Sequence, residues 1–93
     1  MLSTHVLDTA NGKPAAGVRV ELYHGGELVG SGETDADGRI RSLADTTAGT
    51  YRLVFHPPSP FFTRVEVELA LGDGDHHVPL LLSPYQCTIY RGS

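Results

Sequence analysis

Eleven glycines and six prolines are spread through 93 residues, and that density decides what the chain can become. Glycine in a regular element costs backbone entropy, and proline removes a donor and fixes φ, so both punctuate secondary structure. A long helix has little room between them. Short strands do, and apolar residues recur at the period of two that a half-buried strand requires.

Leu2-Ser-Thr-His-Val-Leu-Asp8 reads as a first strand, closed by the turn-forming Asn11-Gly12 and by Pro14. Gly17–Tyr23 follows, with Val18, Val20 and Leu22 facing in and Arg19 and Glu21 facing out. Gly25-Gly26 turns the chain into Glu27–Glu33, a strand weakened by glycine. Asp35-Ala-Asp-Gly38 is a turn in which Gly38 can supply positive φ, and Arg39–Leu43 is a short strand after it. A polar loop, 45–49, leads into Tyr51–Phe55, where Tyr51, Leu53 and Phe55 share a face. His56-Pro-Pro-Ser-Pro60 excludes both helix and central strand. Thr63, Val65, Val67, Leu69 and Leu71 alternate with Arg64, Glu66 and Glu68. Gly72–Asp75 then turns into His76–Leu82, Ser83-Pro84 breaks the chain, and Tyr85–Tyr90 is the last strand. About eight strands with turn signals every 8–12 residues predict an all-β, two-sheet antiparallel sandwich, one domain spanning 1–93.

Composition narrows the classes of function. Seven Lys+Arg against 11 Asp+Glu give a formal charge of −4, which argues against electrostatic nucleic-acid binding. No apolar run approaches the roughly 20 residues of a membrane span, and no basic region leads an apolar stretch, so neither span nor signal peptide is expected. The single cysteine, Cys87, excludes an intrachain disulfide framework and fits a reducing compartment, with the cytoplasm as default. A chain this short buries only about 60–65% of its unfolded surface, so helices or partner subunits are expected to cover its apolar faces.

Five histidines are the candidates for proton transfer: His5, His24, His56, His76 and His77. His24 adjoins a Gly-Gly turn and His56 precedes two prolines, so both read as solvated. His5 lies mid-strand on a face with Ser3 and Leu7, opposite Thr4 and Val6. His77 opens an apolar strand on a face with Leu81, while His76 shares the other face with Leu80 and Leu82. Because neighbouring strand residues point to opposite faces, His76 and His77 are poorly placed to chelate one ion, and no metal is expected there despite Asp73 and Asp75. Asp35 and Asp37 loosely resemble the start of a calcium loop, but the later glutamate is absent. No Gly-x-Ser-x-Gly elbow is present and Cys87 lies in a strand with nothing to lower its pKa, so activated water is the expected nucleophile.

Three segments carry a resemblance. Leu2–Asp8 with Gly12–Val18, Thr34-Asp-Ala-Asp-Gly-Arg39, and His77–Pro84 with Tyr90-Arg-Gly-Ser93 resemble the transthyretin-related proteins, specifically their 5-hydroxyisourate hydrolases, in the family's order and over nearly the whole chain. The C-terminal tetrapeptide is the most specific part, because it separates the hydrolases from hormone-carrying transthyretins. The resemblance implies a homotetramer with active sites in a channel at the dimer–dimer interface. It implies no metal or organic cofactor, and hydrolytic opening of the 5-hydroxyisourate ring in urate catabolism. Carried over by position, His5, Arg39, His77 and Ser93 would be catalytic, and Tyr90, Arg91 and Gly92 would bind substrate. His5 and His77 would orient and deprotonate water, Arg39 would stabilise charge developing on oxygen, and the tail would close the pocket.

This chain departs from the family in three places. Residues 56–60 are too short and proline-rich for the usual helix, a change expected to affect packing more than chemistry. Asp75-His76 stands where His-Tyr is usual before the second histidine, and Gln86–Ile89 departs from the usual pattern before the tail. Rival readings are a transthyretin-like carrier of a small aromatic ligand, a purely structural sandwich, and a hydrolase recruited to another cyclic amide.

Overall fold

Period-two alternation becomes strand throughout. The computed structural model describes residues 1–92, and among them there are nine strands and no helix. They are β1 (Leu2–Asp8), β2 (Lys13–Pro14), β3 (Arg19–His24), β4 (Glu27–Glu33), β5 (Arg39–Ala44), β6 (Gly49–His56), β7 (Val65–Leu71), β8 (His76–Ser83) and β9 (Gln86–Ile89). One sheet runs β2-β1-β8-β9, with β5 sharing the β2 edge of β1, and the other runs β4-β3-β6-β7. The result is the two-sheet sandwich that the alternation predicts.

Two details go beyond that prediction. The ninth strand, β2, is a two-residue edge strand containing Pro14, where a missing N–H costs little. The β1–β8 ladder is parallel, from Leu2↔His76 to Asp8↔Leu82, whereas the other ladders among the described residues are antiparallel. Hairpin signals mark only neighbouring antiparallel strands. A parallel pair needs a long crossover, and most of both sheets lies between β1 and β8.

The core sits where inward faces meet. Leu2 and Val6 of β1 and Leu80 of β8 are fully buried against Val20 and Leu22 of β3 and Leu53 and Phe55 of β6. Burying each such side chain contributes about 1.5–3 kcal/mol. Thr4, on the same inward face of β1, satisfies its buried hydroxyl by donating to the Val78 carbonyl at 2.7 Å. Thr34 closes the crossing from β4 to β5: its Oγ1 accepts from Val18 N–H at 2.9 Å and donates to the Ala15 carbonyl at 2.7 Å.

The outward faces differ in kind. On the β3–β6–β7 sheet, Glu21 pairs with Arg19 and His56, and Glu66 pairs with Arg52 and Arg64. Such exposed pairs contribute little stability, but they mark a face suited to water. The outward face of β1 and β8 carries Ser3, His5, Leu7, His77, Pro79 and Leu81 instead, with no such ladder of charge pairs among the described residues.

Candidate active site

The turn before β5 is built to deliver two groups to β1. Asp35 Oδ1 accepts from the backbone N–H groups of Asp37 (2.9 Å) and Arg39 (3.0 Å), and the Arg39 N–H bond is the main reason its carboxyl titrates below the usual range. Gly38 has φ +74°, and a Cβ there would run into the Val6 carbonyl and Pro14, so glycine is required twice over. The turn is stapled to β1 by Val6 N–H donating to the Gly38 carbonyl at 2.7 Å. Arg39 thereby becomes the cross-strand partner of His5.

His5 donates Nε2–H to the Asp37 carbonyl at 2.9 Å, since a carbonyl can only accept. Its Nδ1 is then the nitrogen free to accept when the ring is neutral. On the other side of β1, the parallel ladder sets Ser3 beside His77, and Ser3 Oγ lies 2.8 Å from His77 Nδ1. His5 and His77 therefore stand on adjacent strands, offset by two residues on one face, about 8 Å apart from strand spacing and rise. Burial lowers the His77 pKa below its ordinary 6.5, and the positive charges of Arg39 and His5 lower it further. His77 is thus held neutral near pH 7, as a base requires.

The C-terminal segment reaches the same place. After β9 the ladder continues to a bridge between His77 and Gly92, with Gly92 N–H donating to the His77 carbonyl at 2.7 Å. A Cβ on Gly92 would lie 2.6 Å from Cδ2 of the His77 ring, so only glycine lets the tail press this closely. Tyr90 and Arg91 border a different space, a 460 Å³ cavity at the open edge between the sheets, together with His76, Val78 and Ile89. Ser93 lies outside the described residues.

The structure thus brings His5, Arg39, His77 and Gly92 together and sets Tyr90 and Arg91 at a neighbouring cavity. His76 bonds the Gly72 carbonyl through Nε2 at 2.8 Å and lines that cavity too, on the other side of β8 from His77. Among the described residues no group of three or more His, Cys, Asp or Glu side chains could hold a metal ion. Sequence reasoning missed two functional candidates, Ser3 and Arg41, which line a 140 Å³ depression with Arg39 and His77. Arg41 stands two residues from Arg39 at strand period, a signal that was available. Ser3 needed the parallel register, which no local pattern encodes.

Comparison with known proteins places the whole chain among relatives of one kind. The chain is 45% identical to a 5-hydroxyisourate hydrolase of Caulobacter vibrioides over 112 aligned positions, covering 99% of this chain and 97% of the relative. It is 38% identical to the structure of Klebsiella pneumoniae 5-hydroxyisourate hydrolase, with a TM-score of 0.88 and coverage of 99% and 97% of the two chains. Transthyretin from Sparus aurata shares the fold at a TM-score of 0.86 but only 28% identity, over 98% of this chain and 95% of that one. The HIUase/Transthyretin family profile matches residues 2–92, and the chain belongs to that family.

Proposed function

We propose that this protein is a 5-hydroxyisourate hydrolase, opening the ring of its substrate by water attack. The observation that carries the reading is the convergence of a neutral-poised His77, His5 and Arg39 on one outward face. The relatives named as hydrolases, at 38–45% identity, supply the substrate. A carrier needs no such base.

His77 takes a proton from water through its free nitrogen while His5 orients that water. The resulting hydroxide adds to the ring carbonyl, and the guanidinium of Arg39 stabilises the oxyanion. Collapse breaks the ring C–N bond. The proton held by His77 passes to the departing ring nitrogen, leaving a carboxylic acid that ionises in water. Gly92 braces the His77 ring. The substrate-binding roles that the family resemblance gives to Tyr90 and Arg91 would need a neighbouring subunit to bring them to this face, since within one chain they line the inter-sheet cavity. Ser93 is assigned to the tail as a hydrogen-bonding group by that resemblance alone.

The depression at Arg39 and His77 holds only 140 Å³, below the roughly 300–1,000 Å³ of sites that enclose a small molecule. A homotetramer, with a second dimer laid over this face, would close the site at the dimer–dimer interface. We further propose a cytoplasmic location, which suits a chain with one cysteine; cell fractionation tests it.

The decisive experiment follows the ultraviolet absorbance of freshly generated 5-hydroxyisourate with and without protein. Acceleration abolished by His5→Ala and His77→Asn supports the reading. Tight ligand binding without turnover would replace it with a carrier, and turnover of another cyclic amide alone would replace the substrate. Light scattering reads the assembly, with a monomer at working concentration overturning the tetramer.

A further inference from the structure

The His77 imidazole has two nitrogens, and the chemistry above needs one of them bare. Which one is bare depends on what the other touches. Nδ1 lies 2.8 Å from Ser3 Oγ, a contact that can run in either direction because a hydroxyl both donates and accepts. The direction is set one step further on. Ser3 Oγ also lies 3.4 Å from the His76 carbonyl, and a carbonyl oxygen can only accept. That carbonyl is a long acceptor at 3.4 Å, but directing the hydroxyl hydrogen towards it leaves the Ser3 oxygen to accept from Nδ1–H.

We infer that Ser3 is a positioning residue for His77, holding the ring in its Nδ1–H form so that Nε2 is the bare, base-competent nitrogen. The proton order is His77 Nδ1–H to Ser3 Oγ–H to the His76 carbonyl. The arrangement follows from topology: only the parallel β1–β8 register puts residue 3 beside residue 77 with both side chains outward. The Gly92 backbone runs so close to Cδ2, the ring carbon bonded to Nε2, that a Cβ there would stand 2.6 Å from it, which leaves the ring little room on that side. This inference rests on the hydrolase reading for its catalytic consequence, but the tautomer itself is a property of the resting protein.

Ser3 also lines the depression with Arg39 and His77, which raises the opposite role of nucleophile. In that role the Oγ proton would pass to Nδ1, an acyl group would form on Oγ, and water would later release it. The carbonyl-directed hydroxyl argues for positioning, and the two roles predict different products on the protein.

The test uses the intact protein, labelled with nitrogen-15 at histidine, together with Ser3→Ala and Ser3→Thr. Long-range proton–nitrogen spectra at about pH 8, where a histidine is neutral, report which nitrogen of His77 is protonated. The wild type is expected to show Nδ1–H and bare Nε2, and Ser3→Ala a shift towards Nε2–H. Losing one orienting hydrogen bond should lower kcat about tenfold with KM within about twofold. Ser3→Thr, which keeps the oxygen and suits a strand, should restore both tautomer and rate. An unchanged tautomer in Ser3→Ala overturns the inference, as does an acyl adduct on Ser3 in quenched reactions. Absence of 5-hydroxyisourate turnover by wild type would instead overturn the hydrolase reading, while the tautomer shift still decides the role of Ser3.

Discussion

Gly92→Ala is the sharpest test of the site, because it adds one methyl group at a place of known clearance. The new carbon would stand 2.6 Å from His77 Cδ2 and 3.2 Å from Pro79 Cγ. Carbon atoms settle at about 3.5–4.0 Å, so about 1 Å must be given up by the tail or by the ring. If the tail lifts, the 2.7 Å bond from Gly92 N–H to the His77 carbonyl is lost and substrate loses a wall. If the ring swings, Nε2 moves with Cδ2 and leaves the line of attack. Either way the reacting groups are displaced by about 1 Å, which costs about 10²-fold in rate, or about 2.7 kcal/mol of barrier. Stability should hardly change, because the residue is half-exposed at the end of the chain and carries no core contact. The assay is kcat/KM for 5-hydroxyisourate alongside Tm. A folded Gly92→Ala protein with wild-type kcat/KM would refute the claim that the tail braces His77.

Four other outcomes are expected. Because burial, Arg39 and His5 lower the His77 pKa, the acid limb of kcat should fall below pH 6.5, and Arg39→Gln should move it upward while reducing the rate. The same shift makes the unfolded chain take up this proton first, so urea midpoints should decline as pH drops from 6.5 towards the lower folded value. Gly38→Ala combines a left-handed φ with a backbone clash, so it should cost about 2–4 kcal/mol and lower Tm by about 10 °C or more in thermal melts. Thr34→Val strands the Val18 N–H and the Ala15 carbonyl together, for a loss of about 2–4 kcal/mol in urea titration with activity retained in the folded fraction.

Which face each residue takes was legible, and which strand lies beside it was not. Period two alone separated Ser3, His5 and Leu7 from Leu2, Thr4 and Val6, and the buried set is the second. It separated His76 from His77 in the same way. Periodicity, however, carries no information about pairing partners more than a hairpin away. The Ser3–His77 contact depends on a parallel register between residues 74 positions apart, so it could not be read locally. The turn at 35–38 was legible and family resemblance named His5 and Arg39 as site residues, but the cross-strand pairing between them comes only from the structure. Tyr90 and Arg91 stand at the inter-sheet cavity instead of beside His77, and alternation does not resolve that difference.

The connection between β6 and β7, where the family resemblance expects a missing helix, runs over residues 57–64 without one. Alignments with the relatives run to 110 positions or more against 93 residues here, so those proteins carry insertions relative to this chain. Residues 57–64 make their turn through Ser59, whose Oγ accepts from the backbone N–H groups of Phe61 and Phe62 and donates to the Pro84 carbonyl. Pro58 and Pro60 line a cleft with Asp8 and Pro84, at the far ends of β1 and β8. Ser3 and His77 stand at the near ends, and five residues of strand rise separate Ser3 from Asp8 by about 16 Å. Phe62 still packs against the core, so the short loop retains an apolar anchor. The changed segment at β9 is absorbed similarly: Cys87 and Ile89 pack against the core, while Thr88 pairs with Leu81 beyond Pro79. Parallel strands that hold His77 at one end and His5 at mid-strand can vary at the other end without moving either ring. The chemistry therefore depends on the register of β1 and β8, and the length of the β6–β7 connection is free to vary.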